Sequence, residues 1–141
     1  MFKKILIPLD NSPTDKVILD QIRPLAKLTH ADLILAHVAD GFAARLQDDL
    51  NLEDSEEIKK DRSYLTECQK TLIKEGFDVK TYLVQGEPAD QILSLVEKEH
   101  CDLIAMSTHG HRFLKDLLWG SVAENIRHRT SVPILMIRAP K

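Results

Sequence analysis

The chain has 141 residues, 43% apolar and 29% charged, with a formal net charge of −3. That is enough for one domain spanning residues 1–141, burying about 70% of the surface its unfolded form exposes, and the mildly acidic balance excludes a dedicated nucleic-acid binder. The opening MFKKILIPLD is too short an apolar run for a secretory leader, and no stretch approaches the ~20 apolar residues of a membrane span, so a cytoplasmic protein is expected.

The charge is uneven. Residues 1–100 carry 13 lysines and arginines against 19 acids, whereas residues 101–141 carry six against three. The electropositive C-terminal part suits an anionic small molecule. Cys68 and Cys101 stand apart, with no CxxC pair and no histidine at ligand spacing, as in a reducing compartment.

In chain order, ILIPL (5–9) is a compact apolar run suited to a strand buried on both faces. A helix follows, with Ile18, Ile22 and Leu25 on one face, Asn11 or Ser12 as its cap and Pro13 in its first turn. Pro24 predicts a kink or two helical pieces. DLILAHV (32–38) reads as the second strand, and His37 inside it as a hydrogen-bonded core residue. The acidic stretch 43–62 reads as an excursion leading into a helix whose buried stripe is Ile58, Leu65, Cys68 and Leu72, with Gly76 placed to end it. DVKTYLV (78–84) alternates as a strand at a sheet edge does. GEPADQILSLVEKEH then gives a helix with Ala89, Ile92, Leu93 and Val96 on one side. DLIAM (102–106) is a strand, SVAENIRHR a helix, and PILMI (133–137) the last strand. Strands alternating with helices mean a doubly wound α/β domain with a parallel sheet.

In such sheets ligands sit beyond the carboxyl ends of the strands, where the strand order reverses. There, STHGHRFLKDLLWGS (107–121) places Gly110 and Gly120 around nine residues, followed by Ser121. Gly110 lets the backbone approach a ligand closely. Ser121 reads as the cap of the final helix, with free amides facing an anion and Glu124 three residues on completing a capping box. The same amides are then satisfied either internally or by phosphate. A G-x-x-x-x-G-K-[ST] loop and a G-x-G-x-x-G turn are both absent, which disfavours a P-loop ATPase and a dinucleotide dehydrogenase.

These segments together resemble the universal stress protein family, end to end. The resemblance is carried by ILIPLDNSP, LILAHV, GEPADQI and the long C-terminal stretch DLIAMSTHGHRFLKDLLWGSVAENIRHRTSVPILMIR. It implies a five-stranded, Rossmann-like sheet of order 3-2-1-4-5. It also implies a choice between an ATP-binding branch, marked by G-x2-G-x9-G-[ST], and a branch that does not bind. Gly110, Gly120 and Ser121 match the last three elements of the pattern, while Ser107 replaces its first glycine. The resemblance favours ATP, with Mg²⁺ or Mn²⁺ carried by the phosphates. By similarity, Asp10 meets the sugar or base, Pro8 and Leu9 line the pocket, and Val38 offers backbone groups to adenine. Met106, Ser107, His109 and Gly110 form the near side of the ribose–phosphate site, and Gly120, Ser121, Val122 and Ala123 serve the phosphates. The family further implies a homodimer through the last strand, 133–138, and a role in the stress response.

Other readings find less support. His109 and His111 have no further ligand at metal spacing, and Ser107 and Ser121 lack the G-x-S-x-G elbow of a nucleophile. Catalytic residues are not identified: His109, His111, Arg112 and Lys115 are not at a diagnostic spacing for ATP hydrolysis, although slow turnover stays open. The alternative function is a dimeric regulatory protein that needs no nucleotide.

Overall fold

A computed structural model describes residues 1–39, 56–109 and 113–138, with only the backbone course for Thr108, His109 and residues 113–120. The order is β1 (Lys4–Pro8), α1 (Thr14–Thr29), β2 (Asp32–Ala39), α2 (Glu56–Lys74), β3 (Val79–Gln85), α3 (Pro88–Glu99), β4 (Leu103–His109), α4 (Phe113–Arg129) and β5 (Ile134–Arg138). All the strand pairings are parallel, in the order β3-β2-β1-β4-β5 that the resemblance implies.

Successive strand side chains point to opposite faces of a sheet, and the three central strands are apolar on both. Ile5, Ile7, Leu33, Leu35, Leu103 and Ala105 meet α1 and α2 through Ile18, Ile22, Leu65 and Leu72. Leu6, Ile34, Ala36, Ile104 and Met106 meet α3 and α4 through Ala89, Ile92, Val122, Ala123 and Ile126. Two separate cores therefore lie either side of one sheet. Away from the site, the Glu99 carboxylate at the end of α3 gathers Lys4 of β1 and both Lys80 and Tyr82 of β3. It thereby ties two strands that flank β2 on opposite sides.

Three local expectations need correction. Pro24 does not divide α1, which runs as one helix from Thr14 to Thr29. Pro24 sits ten residues inside it and removes only one backbone donor. Neither Asn11 nor Ser12 caps that helix: the N-cap residue is Pro13, and the Ser12 hydroxyl is engaged with Asp10 and Thr14 instead. The largest difference is at the C-terminal helix. Ser121 does not begin it, because α4 starts at Phe113 and passes through Gly120 and Ser121. The residues before Gly120, FLKDLLW, include three leucines and a lysine, which favour helix; one interior glycine costs only about 1 kcal/mol and does not end it.

Candidate functional site

The strand pairings open a crevice at the switch point. β1 follows β2 all the way to Pro8↔Ala36, but pairs with β4 only at Ile5↔Leu103 and Leu6↔Ile104. Pro8 is the physical reason. The Leu9 N–H donates to Ala36 on the β2 side at 2.8 Å, so by alternation the nitrogen of residue 8 faces β4, and proline has no hydrogen to offer. Beyond Leu6 no further β1–β4 ladder pair forms among the described residues. β4 is itself irregular there: its register against β5 shifts between Ser107↔Ile137 and His109↔Arg138.

The floor of the crevice is the turn after β1. Leu9, Asp10 and Ser107 are buried, and Asn11 has φ 59°, a left-handed conformation that asparagine tolerates better than most residues. A dense polar network fixes this turn. Asp15, at the start of α1, accepts the amides of Asp10 (3.2 Å) and Asn11 (2.9 Å), and also the Tyr64 hydroxyl at 2.6 Å. The Ser12 hydroxyl donates to the Asp10 carboxylate. His37 Nδ1–H donates to the Leu9 carbonyl at 2.9 Å, and its Nε2 lies 3.0 Å from Asp61 Oδ2. Asp61 Oδ1 accepts from the Asn11 side-chain amide at 3.1 Å.

Burial raises the Asp15 carboxyl from 3.8 to about 7; the Tyr64 hydroxyl opposes this rise, and the neighbouring Asp10 carboxylate adds to it. Burial, then the Asp15 charge, likewise pushes the Tyr64 phenol upward. A carboxyl raised to about 7 therefore bonds directly to the amides of the crevice floor.

Of the residues expected at the site, the structure brings Pro8, Leu9 and Asp10 to the end of β1, and Val38 to the end of β2. Met106, Ser107 and His109 lie at the end of β4. Gly110 lies outside the described residues, as do His111 and Arg112. Ser121 is exposed, whereas the side chains of Val122 and Ala123 are buried in the α3–α4 core. The amides of Gly120, Ser121, Val122 and Ala123 do not form a free helix N-terminus, since they lie seven or more residues inside α4 and are committed to the i→i−4 ladder. Asp15, Asp61 and Tyr64 were not legible as part of this site. Asp15 reads as first-turn helix chemistry, and the other two sit on a helix some 50 residues away. His37 was legible as a bonded core residue, but not as a contact of the β1 tip. Among the described residues, no group of three or more His, Cys, Asp or Glu is placed to hold a metal ion, and no helix is long and apolar enough to cross a membrane.

The model for the universal stress protein family matches residues 1–138. Universal stress protein MJ0577 of Methanocaldococcus jannaschii is 32% identical over 155 residues, covering 98% of this chain and 96% of its own. Its solved structure superposes with a TM-score of 0.85 at 31% identity, over 100% of this chain and 99% of that one. Universal stress protein YxiE of Bacillus subtilis is 28% identical over 148 residues, covering 98% of this chain and all of its own. The fold is also shared by a universal stress protein from Archaeoglobus fulgidus, solved in complex with dAMP. Its TM-score is 0.70 at 18% identity, covering 97% of this chain and 99% of that one. With the sheet order and a match spanning nearly every residue in agreement, the chain belongs to the universal stress protein family.

Proposed function

We propose that this protein binds ATP in the crevice between the ends of β1 and β4 and acts in the cytoplasm as a nucleotide-responsive regulator of the stress response. The observation that carries the reading is the built floor of the crevice. Asp10 stands at the tip of β1 beyond the last β1–β4 pair, on a turn whose backbone is bonded by Asp15 and His37, which Tyr64 and Asp61 hold in turn. A carboxylate held in this way is suited to accept ribose hydroxyls or an adenine amine. Val38 and Met106 lie near the ends of the neighbouring strands β2 and β4, and the dAMP complex of the Archaeoglobus fulgidus protein supports an adenine nucleotide as occupant of this fold.

On the phosphate side the residues fit only after a change. Delivery of the triphosphate to the amides of Gly120–Ala123 requires α4 to open ahead of Ser121, and Gly120 is the position where helix is least favoured. Mg²⁺ or Mn²⁺ then arrives with the phosphates, which bring their own oxygen ligands. Slow hydrolysis is compatible with this reading, but no described residue is placed as a base for it. Calorimetric titration of nucleotide-free protein with ATP, with GTP as control, tests the proposal. Lack of ATP binding up to millimolar concentration refutes it.

A second reading, a regulatory dimer independent of nucleotide, is favoured by β5. This strand closes one edge of the sheet and exposes Leu135 and Met136, at 39% and 45%. Such an edge readily pairs with another chain, and we propose residues 133–138 as the homodimer contact. Replacing Leu135 and Met136 together by lysine is expected to convert dimers to monomers in light scattering; an unchanged mass places the interface elsewhere.

A further inference from the structure

We infer that Asp61 and Tyr64, both on α2, are positioning residues for the nucleotide: they hold Asp10 in place from behind, Asp61 through His37 and Tyr64 through Asp15. The inference rests on the reading that Asp10 meets the nucleotide.

Asp61 and Tyr64 are three residues apart, on one face of α2, and Leu65 and Leu72 bury the adjoining stripe against the sheet. From this face two separate chains of contacts run to the turn Leu9–Asn11 and meet at Asn11. Asp61 grips His37 (3.0 Å), which grips the Leu9 carbonyl (2.9 Å), and Asp61 also accepts the Asn11 side-chain amide (3.1 Å). Tyr64 donates to Asp15 (2.6 Å), which in turn holds the amides of Asp10 and Asn11. Asp10 is thus bracketed on both sides along the backbone.

Burial makes the arrangement informative. Asp15, His37 and Asp61 are each less than one-tenth exposed, and sequestering ionisable groups costs free energy that apolar residues of similar size would avoid. General packing of α2 does not require them. What they add is direction: Asp15 and His37 bond the backbone of three successive residues, one of them in a left-handed conformation, and Tyr64 and Asp61 back the two bonding side chains.

A carbonyl only accepts, so His37 Nδ1 donates to Leu9 and its Nε2 faces Asp61. An asparagine at position 61 reproduces both of the Asp61 contacts. Its amide accepts from Asn11 and donates to a neutral ring nitrogen. An alanine reproduces neither.

The test combines calorimetric titration with ATP and the amide spectrum of the ¹⁵N-labelled chain without nucleotide. It uses wild type, Asp61→Ala, Asp61→Asn, Tyr64→Phe, and Leu72→Val as a packing control on the same helix. Asp61→Ala and Tyr64→Phe are each expected to weaken ATP about tenfold, within the usual range of coupling between linked sites, and to move the Asp10 and Asn11 amide resonances. Asp61→Asn is expected to restore affinity to within about threefold of wild type, and Leu72→Val to leave it unchanged. Should Asp61→Ala fail to fold, Tyr64→Phe and Asp61→Asn still decide. Wild-type binding matched by Tyr64→Phe and Asp61→Ala overturns the inference alone, as does an equal loss in Leu72→Val. A wild-type chain that takes up no ATP overturns the nucleotide reading and the inference with it.

Discussion

Replacing Asp15 by asparagine is expected to reverse its effect on stability between acid and neutral pH. In the folded chain this carboxyl is raised from 3.8 to about 7, chiefly by burial. A group whose folded value lies above its unfolded value binds more protons when folded, throughout the window between the two. Stability therefore falls as pH rises from about 4 to about 7, and is level outside that window. A displacement of about three pH units corresponds to about 4 kcal/mol. Asparagine cannot ionise. With its carbonyl in the place of Oδ2 it keeps the Asn11 amide and the Tyr64 hydroxyl, and it loses only the longer bond from the Asp10 amide, at a cost of about 1 kcal/mol. At pH 4 the variant is then about 1 kcal/mol less stable than wild type, and at pH 7.5 about 3 kcal/mol more stable. Urea unfolding of both proteins at the two pH values reads this directly, and taking the difference cancels every other titrating group. A variant destabilised equally at both pH values would refute the assignment of this proton to Asp15.

Three further expectations are independent of that one. Glu99 is held at about 2, first by the Tyr82 hydroxyl and then by Lys4 and Lys80. Its contribution is thus present above its ordinary value of 4.5 and lost as pH falls towards 2. Glu99→Gln should cost about 1–2 kcal/mol at pH 7, and its deficit against wild type should shrink in acid; a constant deficit down to pH 2 argues that the carboxylate is not the source. His100 ends α3 in a left-handed conformation at φ 56°, so His100→Gly should raise the midpoint of thermal unfolding by relieving about 1 kcal/mol of strain; an unchanged or lower midpoint contradicts this. Ser107 lies outside the left-handed region, so Ser107→Gly relieves no backbone strain and should alter ATP affinity by less than about tenfold. A larger gain would identify serine as an obstacle to the nucleotide.

The order of elements and the two-sided apolar character of the central strands were determined by the sequence, because strand and helix periodicities are local properties of a few successive side chains. Pro8 also carried the opening of the crevice, although its meaning required knowing that β4 lies on the side its nitrogen faces. Other features depended on the assembled fold. FLKDLLW joins the final helix although a serine with a capping signature follows it, since helix propensity upstream outweighs one interior glycine. Asp61 and Tyr64, read alone, are polar residues on an amphipathic helix. They become part of the site only when α2 packs across β2 and meets the turn after β1. Contacts between residues 50 positions apart leave no periodic trace in a single sequence, because what joins them is the crossover of the chain over the sheet.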